Sequence, residues 1–245
     1  ARGDRARRTA RHGIADRVSA ADATPGERRA RWSVVCDFDG TIALDDVTDT
    51  LLLRFAQPGW QELERAWEAG RISSRTCMAG QVALLDCSRD ELDRHLAGLA
   101  IDPAFAAFVA AVEADGCPLT IASDGLDGVI AAMLARESLT RLEVRASRLV
   151  QAGPRQWALE FPHARAQCAS GAATCKCACL GDAGRPVLLV GDGASDFCAA
   201  GRAELTFAKS RLLDHCSVLG LPHRPIVDFA DAIVAWRELA EGALT

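Results

Sequence analysis

Asp37 and Asp39 stand two residues apart in Cys36-Asp37-Phe38-Asp39-Gly40-Thr41, directly after the apolar run Trp32-Ser33-Val34-Val35. If that run is a buried strand, side chains two apart leave the same face, so both acids point the same way at its carboxyl end. Gly40 then lets the chain turn sharply. Burying unpaired charge is costly, so two acids in such a place call for a divalent cation. One acid could then attack a phosphoryl group while the other moves a proton.

Two further strand ends carry polar groups. Ser123-Asp124-Gly125 follows the apolar stretch 117–122, and Gly191-Asp192-Gly193, with Asp196 close behind, follows 186–190. Each alone reads equally well as a turn or a helix cap. Together, at the carboxyl ends of strands, they make a constellation, and a lysine lies between the last two. The chain has only two lysines, Lys176 and Lys209, so each surviving lysine marks a place that needs a compact ammonium. Lys176 precedes Gly191 by 15 residues, which leaves little room for an intervening helix. Lys209 is therefore the fallback.

The elements that would position these groups follow from apolar periodicity. Residues 45–115 read as helical, with Leu51 to Leu53, Trp60, Leu63, Trp67, Val82, Leu84 and Leu85 at mixed three- and four-residue spacings. So much helix between two strands exceeds an ordinary crossover and predicts an inserted cap. A helix should carry Val129, Ile130, Met133 and Leu134, and residues 142–161 should form a hairpin turning at Gly153-Pro154. The run Val187 to Val190 suits a strand buried on both faces. Leu205 to Ala208 is a fourth strand, and Ile233 to Leu239 belongs to a last helix. Alternating strands and helices predict an α/β fold with a doubly wound parallel sheet, Rossmann-like, in which ligands bind at the carboxyl ends of strands. The expected division is an Arg-rich head over 1–31, a catalytic core over 32–44 and 116–245, and a helical cap over 45–115.

Charge is uneven. Residues 1–31 hold nine Arg against four acids, so the remaining chain carries −10 of a total of −5. The head lacks apolar periodicity and reads as disordered. An acidic body argues against a broad nucleic-acid surface. No run approaches the roughly 20 apolar residues of a membrane span, and no charged segment leads into an apolar secretory stretch. A cytoplasmic location and reduced thiols are therefore expected for the ten cysteines.

With these residues in order, the chain resembles the haloacid dehalogenase (HAD) superfamily, specifically its phosphatases with a helical cap after the first motif. Asp37-Phe-Asp-Gly-Thr41 matches the first motif, Ser123 the second, Lys176 the third and Gly191-Asp-Gly-Ala-Ser-Asp196 the fourth. The resemblance implies that Asp37 is the nucleophile, forming an aspartyl-phosphate, and Asp39 the acid/base. It implies Mg2+ held by the Asp37 carboxylate, the Asp39 backbone carbonyl and Asp192, with Asp196 behind them or orienting Lys176. Ser123, Gly125 and Lys176 would clamp the phosphoryl group, and the partner would be a small phosphorylated metabolite.

The cap resembles that of phosphoserine phosphatases in keeping an acid, Asp46, on the substrate side. The arginine that would grip a substrate carboxylate in those enzymes falls at Gln81, which has no charge to offer. Phosphoserine therefore ranks below a phosphate without an amino-acid head. Phe161-Pro162-His163, leading to Cys168, Cys175, Lys176, Cys177 and Cys179, resembles the enol-phosphate phosphatases of methionine salvage. His163 and those four cysteines also raise a zinc site, although the spacing lacks paired Cys-x2-Cys knuckles. Two other readings stay open: a phosphotransferase using the same aspartyl-phosphate, and a phospho-acceptor module.

Overall fold

The structure, a computed structural model, describes residues 32–241. The Arg-rich segment 1–31, and the expectation attached to it, lie outside the described residues. The strands are β1 (Ser33–Cys36), β2 (Leu119–Leu126), β3 (Glu143–Gln151), β4 (Trp157–Glu160), β5 (Val187–Gly191), β6 (Leu205–Ala208) and β7 (His223–Pro225). Between β1 and β2 stand α1 (Val47–Phe55), α2 (Trp60–Glu68), α3 (Ser74–Ala83), α4 (Arg89–Leu96) and α5 (Phe105–Ala114). The remaining helices are α6 (Asp127–Arg136), α7 (Lys176–Asp182), α8 (Phe197–Ala200), α9 (Ser210–Leu219) and α10 (Phe229–Glu241).

One sheet runs in the order β4-β3-β2-β1-β5-β6-β7. All neighbours pair in parallel except β3 with β4, which form the expected antiparallel hairpin. Alternation along β1 and β5 explains why both faces are apolar. Val34 and Cys36, with Leu188 and Val190, enter one core, while Val35, with Val187 and Leu189, enters the core on the other face. Since β2 lies on one side of β1 and β5 on the other, the chain switches direction across the sheet at β1. Parallel sheets open a crevice at such a point, beyond the strands' carboxyl ends.

The five helices between β1 and β2 do two things. The last, α5, packs on α10, with Phe105 and Phe108 against Phe229 at ring distances of 4.9 and 5.2 Å. Asp102 is buried there because both oxygens are used, accepting from Ala104 N–H and Phe229 N–H. By contrast, α2 and α3 face the ends of β1, β2 and β5 across a cleft. Local signals set the helix starts: Asp46 caps α1, Ser73 caps α3, and Ser88 with Glu91 forms a capping box on α4. The β3–β4 hairpin is tied to this helical layer, since Trp157 Nε1 donates to Cys87 O at 2.9 Å and Arg155 pairs with Asp86 and Glu91.

Two elements differ from expectation. The strand expected over 117–122 starts at Leu119 and continues through Ser123-Asp124-Gly125 to Leu126. It does so because β3 keeps pairing beyond the motif, at Leu126 with Ser147, after a register shift that follows Ala122. The edge strand β7 is too short to show a sequence pattern and is held by its pairing to β6. No helix among the described residues is long and apolar enough to cross a membrane.

Candidate active site

Asp37 follows β1 and is 5% exposed. Its Oδ1 accepts from Phe38 N–H at 2.8 Å, and its Oδ2 lies 2.7 Å from Lys176 Nζ and 3.4 Å from Ser195 Oγ. Lys176 is the first residue of α7, so the short space before β5 is filled by a helix of seven residues. That compact turn brings Lys176 to Asp37. Lys176 Nζ also meets Asp196 Oδ1 at 2.6 Å and Ser195 Oγ at 3.0 Å. Lys209 instead donates to the Thr41 carbonyl, at 3.4 Å.

Asp196 is fully buried and already satisfied. Besides the lysine, its Oδ2 accepts from the N–H groups of Asp192 and Gly193. Asp192 is held from the other side by Thr41 Oγ1, which donates at 2.9 Å. The turn after β1 brings Thr41 there, and Gly40 permits it with φ of +68°. A side chain at Gly40 would also strike the Asp192 carboxylate, 2.7 Å away.

The second acid, Asp39, points into the same cleft, and its Oδ1 accepts from Val47 N–H at the start of α1. Gly125 presses against its other oxygen, only 2.4 Å from where a Cβ would stand. Ser123 is buried beside it, and its Oγ accepts from Gly125 N–H. Burial raises the Asp39 carboxyl well above the usual carboxylate range, and the Asp46 charge raises it further. Burial likewise raises Asp37, followed by the Asp196 charge, with Lys176 opposing. For Lys176, burial pulls downward but Asp196, Asp37 and Asp124 outweigh it, so the ammonium is held above its ordinary value.

One carboxylate oxygen each from Asp37, Asp192 and Asp196 lies within 4.8 Å of the others. Hard oxygen donors this close, with one buried lysine to offset them, fit a small divalent cation such as Mg2+. The thiol loop does not gather in this way. Among the described residues, no grouping that includes His163, Cys168, Cys175, Cys177 and Cys179 converges on an ion. None of the ten cysteines is in a disulfide.

The cleft has a volume of about 580 Å³. Its floor is Asp37, Asp39, Ser123, Gly125 and Asp192, and α2 and α3 bring Trp60, Trp67, Met78, Gln81 and Glu64 to its other side. Asp46 lines it while its Oδ1 caps α1, and its carboxyl is raised to about 6, first by desolvation and then by the Asp49 charge. Gln81 is buried and bound, with its Nε2 donating to Glu64 Oε2 at 2.7 Å. Arg65, also in the lining, pairs with Glu62.

Sequence reasoning passed over Asp124. Its Oδ2 accepts from Ser74 Oγ of α3 at 2.5 Å, and its Oδ1 accepts from Thr174 N–H, two residues before Lys176, at 2.7 Å. It thus ties the helical layer to the loop that delivers the lysine. Its position inside the second strand-end motif was the available signal. Thr41 and Ser195 lie within the other motifs in the same way.

Residues 34–201 match the family model of the haloacid dehalogenase-like hydrolases. The chain is 31% identical to the 2-hydroxy-3-keto-5-methylthiopentenyl-1-phosphate phosphatase of Geobacillus kaustophilus, over 83% of this chain and 94% of that one. The phosphatase of the same name from Bacillus velezensis is 28% identical, over 85% and 91%. A substrate-bound phosphoserine phosphatase shares the fold with a TM-score of 0.64 at 15% identity, over 84% of this chain and 97% of that one.

Proposed function

The chain belongs to the haloacid dehalogenase-like hydrolases and is a phosphatase, and we propose that it hydrolyses a small phosphomonoester through an aspartyl-phosphate on Asp37. The observation that carries the chemistry is the buried Asp37 carboxylate, held by Lys176 Nζ at 2.7 Å, with a second acid two residues on in the same cleft. Asp37 attacks phosphorus in line with the leaving oxygen. Asp39, whose protonated form is favoured by burial and then by the Asp46 charge, gives its proton to that oxygen, then takes one from the water that opens the intermediate. Lys176, Ser123 Oγ and the Gly125 backbone bind the phosphoryl oxygens. Asp196 fixes Lys176 and the turn that carries Asp192. Mg2+, held by Asp37, the Asp39 carbonyl and Asp192, would neutralise charge on the transferred group. Catalysis of this kind rests mainly on positioning and charge stabilisation.

For the substrate, we assign the 2-hydroxy-3-keto-5-methylthiopentenyl 1-phosphate that names the relatives. Trp60, Trp67 and Met78 offer an apolar surface suited to a thioether tail, because sulfur packs favourably at aromatic edges. A phosphoserine carboxylate would instead meet Gln81, already committed to Glu64, among Asp46, Asp49 and Glu68. The test measures kcat/KM for the enol phosphate, phosphoserine and p-nitrophenyl phosphate with Mg2+. A preference of at least 100-fold for the enol phosphate over phosphoserine is expected, with no phosphate release by Asp37→Asn. Equal or better hydrolysis of phosphoserine overturns the substrate, and turnover by Asp37→Asn overturns the mechanism. Adding acceptor alcohols separates hydrolysis from phosphotransfer.

A further inference from the structure

Two thiols stand beside the catalytic lysine without serving the reaction. Cys177 is the second residue of α7, directly after Lys176, and Cys198 is the second residue of α8, two after Asp196. The Cys177 thiol donates to Cys198 Sγ, with the sulfurs 3.2 Å apart. This contact runs alongside the Lys176–Asp196 ion pair, so the start of α7 is tied both to α8 and to the turn just before it. Both thiols are free and half-buried, unlike Cys175, Cys179 and Cys216, which are buried. Small oxidants can therefore reach this pair. Of the other thiols in the loop, Cys168 is engaged with Ser170, and Cys179 donates to the Cys175 carbonyl.

We propose that Cys177 and Cys198 are a modification site, forming a reversible disulfide that switches the phosphatase off. The oxidant is a low-molecular-weight disulfide such as oxidised glutathione. One cysteine, as thiolate, attacks a sulfur of that disulfide and releases one small thiol. The other loses its proton to solvent and displaces the second small thiol, closing the protein disulfide. Two protein thiols are thereby oxidised by two electrons, and one small disulfide is reduced to two thiols.

The effect on activity follows from geometry. A disulfide needs sulfurs about 2.05 Å apart, so the two sulfurs must close by roughly 1.2 Å, a movement shared between side-chain rotation and the helix starts that carry them. Lys176 sits within hydrogen-bond distance of both Asp37 and Asp196, and a misplacement of about 1 Å costs on the order of 100-fold in rate. Formation of the bond does not depend on the catalytic reading; the loss of activity rests on it.

The experiment treats the full chain with oxidised glutathione, maps disulfides under non-reducing conditions by mass spectrometry, and assays phosphate release with Mg2+. A Cys177–Cys198 linked peptide is expected, with kcat at least tenfold lower and restored by dithiothreitol. Cys177→Ser and Cys198→Ser should each keep basal activity and lose the response. Finding both thiols free, or joined elsewhere such as Cys168 to Cys175, overturns the proposal, as does a linked protein with undiminished activity. If the reduced protein releases no phosphate, the proposed function fails and peptide mapping still decides whether the disulfide forms.

Discussion

Gly125→Ala places one methyl group against the proton-transfer step. Its Cβ would stand 2.4 Å from Asp39 Oδ2 and 3.0 Å from Ser123 Oγ. A carbon and an oxygen approach comfortably at about 3.3 Å, so the carboxylate must retreat by roughly 0.9 Å. Retreat is resisted on its far side, because Oδ1 is held by Val47 N–H at 3.0 Å. The acid then leaves its place relative to the leaving oxygen, and a shift of this size costs on the order of 100-fold. That figure lies at the low end of the 10² to 10⁴ contributed by a positioned acid. The assay is steady-state phosphate release with Mg2+, alongside a thermal melt showing that the variant is folded. Gly128→Ala is the control, since nothing lies within 4 Å of its Cβ and it sits in α6; its kcat should match the parent. A folded Gly125→Ala enzyme within threefold of the parent kcat would refute the placement of Asp39 as the proton donor.

Lys176→Met leaves Asp37 and Asp196 facing each other without their shared cation, and breaking a buried pair costs about 3–5 kcal/mol; urea unfolding should show that loss together with abolished turnover. Asp46→Asn keeps the cap on α1 but removes the charge that helps raise Asp39. Because Asp39 must be protonated to give up its proton, activity falls as pH rises through its pKa. Lowering that pKa should therefore move the alkaline limb of the kcat profile to lower pH, and an unmoved limb would contradict the assignment. Ser74→Ala removes one of the two ties made by Asp124 between α3 and the lysine loop. KM should rise severalfold while kcat changes less, and stability should fall by about 1 kcal/mol, measured by substrate saturation and thermal melting.

The candidate catalytic pair was visible in the sequence because its pattern is local. Asp37 and Asp39 stand two apart just after the apolar run that forms β1, and the apolar runs before Ser123 and Asp192 marked β2 and β5. The parallel sheet followed from the alternation of short apolar runs with helical stretches. Other features join residues far apart in the chain, and no local pattern encodes them. Ser74 meets Asp124 across 50 residues, Gln81 meets Glu64 across 17, and Cys177 meets Cys198 across 21. Which lysine stands beside Asp37 was also open in the sequence, and the short α7 puts Lys176 there. The extension of β2 through its motif depended on where β3 happened to pair. Sequence by itself thus determined the candidate pair of acids and the phosphoryl chemistry they suit, since both lie within one short segment of chain. Only the tertiary structure decided what surrounds that pair, because helix docking and strand register are set by long-range packing. That packing places Glu64 on Gln81, Asp124 between two segments, and one thiol against another.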